Sequence, residues 1–354
     1  MWRNRNLVVH KRTGTPGCGV QQGGNYHYAD ITITSVWPLG DLPPAEPPTS
    51  DEPAIAIGLL DAPPCEPRKT DWVHHWPPES GGLCLALSGR GERFLLRFPG
   101  LADFLISKDG RQIEAWPAPG TGIETLRHLL LDQVLPRILA QWGRLVLHAG
   151  AVRVGDQAIA FIGGSGSGKS TLTASFHDAG YPLLCDDGLV LTQGEGVTLA
   201  MPTYSSLRLW PESIAGLYAH APAFVPMADY SSKRRIVMAE FGSKADVPLS
   251  LASIFLLGSE AAAQDARISL RQLSPREACM AIIGNSFQLD VTDRGCVADV
   301  FADASGIAEH VPVFSLDYPR DFARLPEVHQ AILRQRSEWT TGDNRHLVTM
   351  ETAP

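Results

Sequence analysis

Residues 163–187 constrain the fold of this chain more than any other segment, and they read GGSGSGKSTLTASFHDAGYPLLCDD. The beginning of this segment matches the spacing G-x-x-x-x-G-K-[ST], which is typical of a phosphate-binding loop. Such a loop works between a buried strand and a helix, because the loop amides and the helix N-terminus must face a polyphosphate together. An apolar run at residues 158–162 precedes the loop, and a helical pattern follows it. The segment therefore predicts an α/β unit that binds a nucleotide.

Each residue type in the loop has a physical task. Glycines let the backbone turn sharply and approach phosphate oxygens without a Cβ atom in the way. Lys169 is expected to reach the β- and γ-phosphates of the nucleotide, and the Ser170 hydroxyl is expected to bind Mg²⁺. The residues expected to contact the nucleotide are Gly163, Gly164, Ser165, Gly166, Ser167, Gly168, Lys169, Ser170 and Thr171. The alternative interpretation is a Gly/Ser-rich linker, which the flanking strand and helix oppose.

An acidic pair follows the next predicted strand. The apolar run 181–185 leads into Asp186 and Asp187, one helix and one strand after the loop. Two carboxylates at a strand's C-terminal end beside a phosphate loop can divide two tasks: one holds Mg²⁺, and the other accepts the proton of an attacking hydroxyl. We expect Asp186 to be the base and Asp187 the metal partner, and the exchanged assignment stays open. In the alternative interpretation, Asp-Asp-Gly is only a turn.

A histidine upstream of the loop is a further candidate. Residues 145–152 are predicted to form a strand that runs antiparallel to the loop strand, with a turn near Gly155. His148 lies on this strand and can face the nucleotide. The alternative is a hydrogen-bonded histidine in the core.

The stretches LHAGAVRVGDQAIAFIGGSGSGKSTL and GYPLLCDD resemble the catalytic domain of HPr kinase/phosphorylase and its bacterial relatives. That domain has a P-loop fold shared with phosphoenolpyruvate carboxykinase, and the resemblance covers residues 144–319. It implies a mixed sheet with flanking helices and ATP-dependent phosphorylation of a serine hydroxyl. The resemblance gives His148 a role beside the aspartates and implies a homo-oligomer.

The rest of the chain resembles the HPr-kinase-related proteins of peptide-modification clusters, including lasso-peptide kinases. This implies a peptide or protein substrate that carries a serine, such as a lasso-type precursor peptide. The glycine-rich signature that serves phosphorolysis in the HPr enzyme is absent, so the resemblance does not extend to phosphorylase activity or to HPr as the substrate. Two alternatives stay open: a small-molecule kinase on the same fold, and a non-catalytic ATP-binding regulatory protein.

Three basic residues downstream are candidates for contacts with phosphate or substrate. Arg208 lies among apolar residues on a predicted strand and needs an anionic partner, which a phosphate or an acidic substrate group can provide. Lys233 and Arg235 lie beside a segment, residues 220–232, that is predicted to be an irregular loop. They can bind ATP phosphates or an acidic peptide. The alternatives are a surface salt bridge and a solvated face.

Composition excludes several classes. The net charge of −8 opposes a nucleic-acid-binding role. The 6 cysteines contain no C-x-x-C pair, which favours reduced thiols in a cytoplasmic protein. No apolar run is long enough for a membrane span, so no membrane partner is expected.

Four parts are predicted along the 354 residues. Residues 1–80 are rich in proline and partly irregular, and residues 81–143 form a small β module followed by a linking helix at 123–141. Residues 144–337 are the P-loop catalytic domain, with a mixed sheet and flanking helices. Residues 338–354 are predicted to be a loose tail.

Overall fold

Two large β-sheets, a small third sheet and flanking helices form the described part of the chain. The structure is a computed structural model. It describes residues 23–50, 52–76, 85–89, 92–194, 196–204, 206–218, 223–237, 247–258 and 267–342. The predicted fold class, an α/β protein with mixed sheets and flanking helices and an N-terminal β-rich part, is confirmed.

The first sheet is built from the N-terminal part of the chain. Its strands are β1 (Gly24–Tyr28), β2 (Ile31–Ser35), β3 (Ala54–Leu59), β4 (Trp72–Trp76), β5 (Leu85–Ser88), β6 (Arg93–Phe98), β7 (Ala102–Ser107) and β8 (Gln112–Pro117). Their spatial order is β1-β2-β3-β8-β7-β6-β5-β4. Strands from both sides of the predicted boundary at residue 80 therefore share one sheet. The prolines between residues 38 and 67 lie outside the strands, in connections, where a missing N–H removes no ladder hydrogen bond.

A helical segment joins the two large sheets. Residues 123–141 are helical, as the apolar stripe predicts, but in three pieces: α1 (Ile123–Leu129), a π-helical turn (Leu130–Val134) and α2 (Leu135–Gln141). The apolar side packs in one core with the first sheet and with Val146 and Val190 of the second. π-Helical turns often occur at functional sites.

The second sheet carries the glycine-rich loop of residues 163–170, the predicted P-loop. Its strands are β9 (Leu145–Leu147), β10 (Ala149–Val154), β11 (Gln157–Ile162), β12 (Leu183–Cys185), β13 (Leu189–Gln193), β14 (Thr198–Met201), β18 (Leu249–Leu257), β19 (Ser269–Gln272) and β20 (Val313–Asp317). The order is β12-β10-β11-β18, and the far edge of β18 pairs with β14 near its start and with β20 near its end. The path continues from β14 to β13 and β9, and from β20 to β19.

Four strands of this sheet run in one direction. β11, β18 and β20 are parallel neighbours, and β12 shares their direction because both β11 and β12 are antiparallel to β10. Their C-terminal ends therefore lie along one edge, which we call the carboxyl edge; residues 163, 186, 258 and 318 follow these ends. Ligands of open α/β sheets bind outside such an edge.

The predicted hairpin of β10 and β11 is confirmed. The predicted strand 145–152, however, is broken at His148, because β9 pairs with β13 whereas β10 pairs with β11 and β12. Ala149 lies opposite Ile162, the last residue of β11. This change of partner puts His148 at the carboxyl edge.

The small third sheet corrects the expectation of an irregular loop at residues 220–232. It contains β15 (Ser206–Leu209), β16 (Phe224–Ala228) and β17 (Ser231–Val237) in the order β15-β17-β16. β16 and β17 form a hairpin with a register shift between Pro226 and Ala228. Proline and this irregularity obscure the alternation that would have identified the strands. Residues 219–222 lie outside the described residues.

The remaining helices are α3 (Lys169–Asp178), α4 (Pro211–Leu217), α5 (Pro275–Gly284), α6 (Arg294–His310) and α7 (Leu325–Gly342). α7 extends past the predicted start of the loose tail at residue 338, and residues 343–354 lie outside the described part. The described cysteines, Cys65, Cys185, Cys279 and Cys296, are free thiols. Among the described helices, none combines the length and apolarity that crossing a bilayer requires.

Candidate active site

The loop between β11 and α3 has a backbone that glycine permits. Gly163, Gly166 and Gly168 have φ angles of 147°, 75° and 89°, which residues with a Cβ rarely adopt. At Gly163 a Cβ would also lie 2.9 Å from Ser167 Oγ and 3.0 Å from Leu257 O. The loop therefore requires glycine at these positions, as its sequence pattern predicts.

Lys169 begins α3, and its side chain turns back to the loop. Its Nζ donates to Gly163 O at 2.7 Å and to Gly164 O at 3.1 Å. From the other side, Asn285 Oδ1 accepts a hydrogen bond from the Gly163 N–H at 2.9 Å. The loop is thus anchored at its first glycine, and the positive charge of Lys169 is buried against the loop backbone.

Asp186 follows β12 but is not a cavity residue. Its side chain is buried, with an exposed fraction of 1%, and Oδ2 accepts the backbone N–H of Arg208 at 3.0 Å. Burial and the charge of Asp187 raise the pKa of Asp186 to about 7, although Arg208 acts against them. This pKa suits a general base, but a general base must first lie within hydrogen-bond reach of the substrate proton. The expected assignment of Asp186 as base therefore lacks the required geometry.

Asp187 faces the cavity instead. It has a φ of 75°, unusual for a residue other than glycine, and its side chain is 13% exposed. Burial acts to raise the pKa of Asp187, but His148, which is protonated at the acidic pH where Asp187 titrates, together with Lys233 and Arg208 outweighs it and holds the pKa below its usual range. Asp187 is therefore ionised at neutral pH.

His148 lies beside Asp187. Its Nδ1 is 3.2 Å from Asp187 O; a carbonyl only accepts, so Nδ1 carries the proton and Nε2 is the acceptor of the neutral ring. Burial and the charge of Lys169 lower the pKa of His148 to about 4, although Asp187 raises it. The imidazole is consequently neutral at physiological pH, and the structure brings together His148, Asp187 and Lys169 as predicted neighbours.

Arg208 is held by two carboxylates from different parts of the chain. Its Nη2 is 3.1 Å from Asp132 Oδ2, and its Nη1 is 3.5 Å from Asp187 Oδ2. The side chains of Arg208 and Asp132 are each 1% exposed. His128 Nδ1 approaches the same oxygen of Asp132 at 2.5 Å. The anionic partner that the sequence demands for Arg208 is thus Asp132 in the π-helical turn, and Arg208 ties that turn to Asp187.

The two other basic candidates, Lys233 and Arg235, lie in different parts of the structure. Lys233 lines the cavity, with its Nζ 5.5 Å from the centre of the Trp210 ring. Arg235 is not part of the cavity wall; it forms ion pairs with Asp41 and Glu124. Arg235 therefore joins the small sheet to the N-terminal part of the chain, and the structure does not bring it to the other candidates.

One cavity of about 780 Å³ unites the site. Its wall includes most of the P-loop with Ser170 and Thr171, and also His148, Asp187, Arg208 and Lys233. The volume is within the range of ligand and cofactor sites. The cavity lies outside the carboxyl edge, where open α/β sheets bind ligands.

Sequence reasoning missed several cavity residues. His128 and Gln133 come from the linking helix predicted at residues 123–141, and Tyr318, Arg320 and Phe322 come from the segment after β20. The one sequence signal that this helix contributes to the site is Asp132, because an acidic residue inside a strongly apolar stripe needs a buried partner.

The residues of the cavity fit a nucleotide and a divalent cation. At Gly164 and Gly166 nothing lies within 4 Å of where a Cβ atom would be, so the loop backbone is open there, and Lys169 supplies a cation. The hydroxyl of Ser170 and the carboxylate of Asp187 are the oxygen donors that Mg²⁺ prefers. Among the described residues, no three His, Cys, Asp or Glu side chains cluster as a metal site.

Comparisons with known proteins add little. No protein-family model matches the chain, and no curated protein sequence matches it. One solved structure that it resembles is the Hpr(Ser) kinase/phosphatase from Coxiella burnetii, with 15% sequence identity and a TM-score of 0.31, over 56% of this chain and 99% of that chain. A likeness at this TM-score carries no argument, so the interpretation of the site rests on its own geometry.

Proposed function

We propose that this chain is a P-loop kinase that transfers the γ-phosphoryl group of ATP to a serine hydroxyl of a peptide or protein. The observation that carries the proposal is the single cavity outside the carboxyl edge, in which the glycine loop, Lys169, Asp187 and His148 meet. Phosphoryl transfer depends mainly on positioning and charge stabilisation, and this set of groups supplies both.

Each residue has a role in this proposal. The loop amides and Lys169 hold the phosphate oxygens. Asp187 orients the incoming hydroxyl and accepts its proton, because it is the member of the acidic pair that reaches the cavity. The neutral His148 donates its Nδ1–H to the backbone carbonyl of Asp187 and so keeps Asp187 in place. Asp186 supports the strand segment that carries Arg208.

Ser170 and Asp187 are the residues that would hold Mg²⁺, which neutralises phosphate charge when bound. In this proposal Asp187 both binds Mg²⁺ and accepts the proton, whereas the sequence pattern predicts these two roles for two different aspartates. The serine of a peptide or protein is the acceptor that the family resemblance implies, and an open cavity with room beyond the loop is compatible with it.

The test uses the purified full chain with Mg²⁺ and ATP, a panel of serine peptides and a panel of small hydroxyl compounds, with the products identified by mass spectrometry. We expect a phosphopeptide from the native protein. Asp187→Asn should lower turnover at least about 100-fold, the usual contribution of a positioned proton acceptor. Asp186→Asn is the matched control, and its turnover should stay within about tenfold of the native value, because Asn also accepts the Arg208 N–H.

Three outcomes would contradict the proposal. Phosphorylation of a small compound but of no peptide would favour the small-molecule kinase. ATP binding without any transfer would favour a regulatory protein. An unchanged turnover in Asp187→Asn would contradict the assignment of Asp187 as the proton acceptor.

A further inference from the structure

The cavity extends along the carboxyl edge to the side opposite the acidic pair. Across this edge the order is β12, β10, β11, β18 and β20. Asp187 follows the first of these strands, the P-loop follows the middle one, and Tyr318 follows the last. Residues after β20, among them Arg320 and Phe322, line the same cavity as the loop.

The guanidinium of Arg320 is fixed on two sides. Its Nη2 donates to Gly258 O at 2.8 Å, and its carbon lies 4.4 Å from the centre of the buried Tyr318 ring. It also covers Gly168, since a Cβ there would lie 2.9 Å from Nη1. One face of the planar group is thus occupied by Tyr318, and the other is the face that a ligand in the cavity can reach.

Phe322 forms a second flat surface beside it. The residue is 37% exposed, although a phenylalanine side chain gains free energy from burial. Behind the ring lies Gly216 of α4, where a Cβ would overlap the ring. The missing side chain at Gly216 lets the ring lie flat against the helix backbone and present its other face to the cavity.

We propose that Arg320 and Phe322 form the nucleoside subsite of the cavity, where the base of a nucleoside triphosphate stacks. This inference rests on the proposed function, because it takes the terminal phosphate to lie beside Asp187. A triphosphate that crosses the P-loop from Asp187 then points its nucleoside towards β20. Guanidinium and aromatic faces bind bases by stacking, and this interaction needs no particular pattern of donors and acceptors on the base.

The test measures binding by calorimetry on the full chain, with Mg²⁺ present, for two probes: ATP and inorganic tripolyphosphate. Phe322→Ala is expected to weaken ATP binding about tenfold, the usual order of a lost stacking contact, and to leave tripolyphosphate affinity within about twofold, because the P-loop contacts are kept. Arg320→Ala should likewise weaken ATP binding more than tripolyphosphate binding.

A second variant perturbs the subsite without removing it. Gly216→Ala adds a methyl group under the Phe322 ring, and since Gly216 lies in α4 without a positive φ, alanine suits its backbone. It should fold normally and should also weaken ATP binding more than tripolyphosphate binding.

Several outcomes would overturn the inference. One is an unchanged ATP affinity in Phe322→Ala, and another is an equal loss for both probes. A third is a selective loss of ATP binding in Trp210→Ala instead, because Trp210 lies on the cavity wall beside Lys233. Failure of the proposed function looks different: the native protein would bind neither probe, or Lys169→Ala would bind both as the native protein does.

Discussion

Replacement of Arg208 by methionine is expected to destabilise the protein by about 3–5 kcal/mol. Arg208 and Asp132 form a buried ion pair at 3.1 Å in which both side chains are 1% exposed. Methionine keeps the apolar stem but leaves the Asp132 carboxylate in the interior without its cation. The cost is therefore that of an uncompensated buried charge, to which the lost contact of the guanidinium with the Tyr204 ring, 4.9 Å away, adds.

Thermal and urea unfolding of the full chain measure this loss. At about 2–4 °C per kcal/mol, the midpoint of thermal unfolding should fall by roughly 6–20 °C. Arg271→Met is the matched control: Arg271 pairs with Glu277 at 3.2 Å, but the two side chains are 60% and 47% exposed. An exposed pair of this kind contributes little to stability, so the control should unfold close to the native protein.

The double variant Asp132→Leu with Arg208→Met separates stability from function. Removing both charges should recover most of the lost stability, because a buried ion pair and an apolar pair of similar volume are often nearly equal in free energy. Turnover should not recover, since Asp187 still lacks the guanidinium 3.5 Å away. If Arg208→Met unfolds like the Arg271 control, or if the double variant is less stable than Arg208→Met, the reasoning is refuted.

Two further predictions concern helix α3 and His329 of α7, whose Nε2 lies 2.8 Å from Ser175 Oγ of α3. Burial lowers the pKa of His329 to about 4, so the histidine stays neutral in the native state while the unfolded chain binds a proton below about pH 6.5. The free energy of unfolding should therefore decrease as the pH falls from 6.5 to 4. In urea unfolding, His329→Gln should lose less stability over this pH range, and an equal loss in both proteins would contradict the lowered pKa. Gly168→Ala and Gly180→Ala both place alanine at a positive φ and should each cost roughly 1–2 kcal/mol in urea unfolding. Only Gly168→Ala displaces Arg320 and should weaken ATP binding, because nothing lies within 4 Å of a Cβ at Gly180; equal ATP affinities would contradict the placement of Arg320.

The loop and its flanks were predictable because their constraints are local. Glycines at Gly163 and Gly168 are required by the backbone of the turn itself, and the strand and helix beside them follow from apolar periodicity. The hairpin of β10 and β11 was predictable for the same reason, since its turn residues are adjacent in the sequence.

Features that depend on distant contacts were not predictable. The sequence places Asp186 and Asp187 side by side and gives no indication which one faces a cavity; the positive φ of Asp187 and the backbone bond of Asp186 to Arg208 decide it. The partner of Arg208 is Asp132, which lies far earlier in the chain, in the helix predicted at residues 123–141. Arg320 shows no pattern in the sequence and gains its place only through the pairing of β20 with β18.

The contact between Arg208 and Asp132 has a practical consequence for dissecting the protein. A fragment that starts at residue 144 would keep the P-loop but lose Asp132, and it would uncover Val146 and Val190, which pack against the helical segment. This fragment should therefore aggregate or stay unfolded when it is expressed alone. The N-terminal sheet and the phosphate site should denature in one cooperative transition, so that protein engineering must treat residues 23–342 as a single unit.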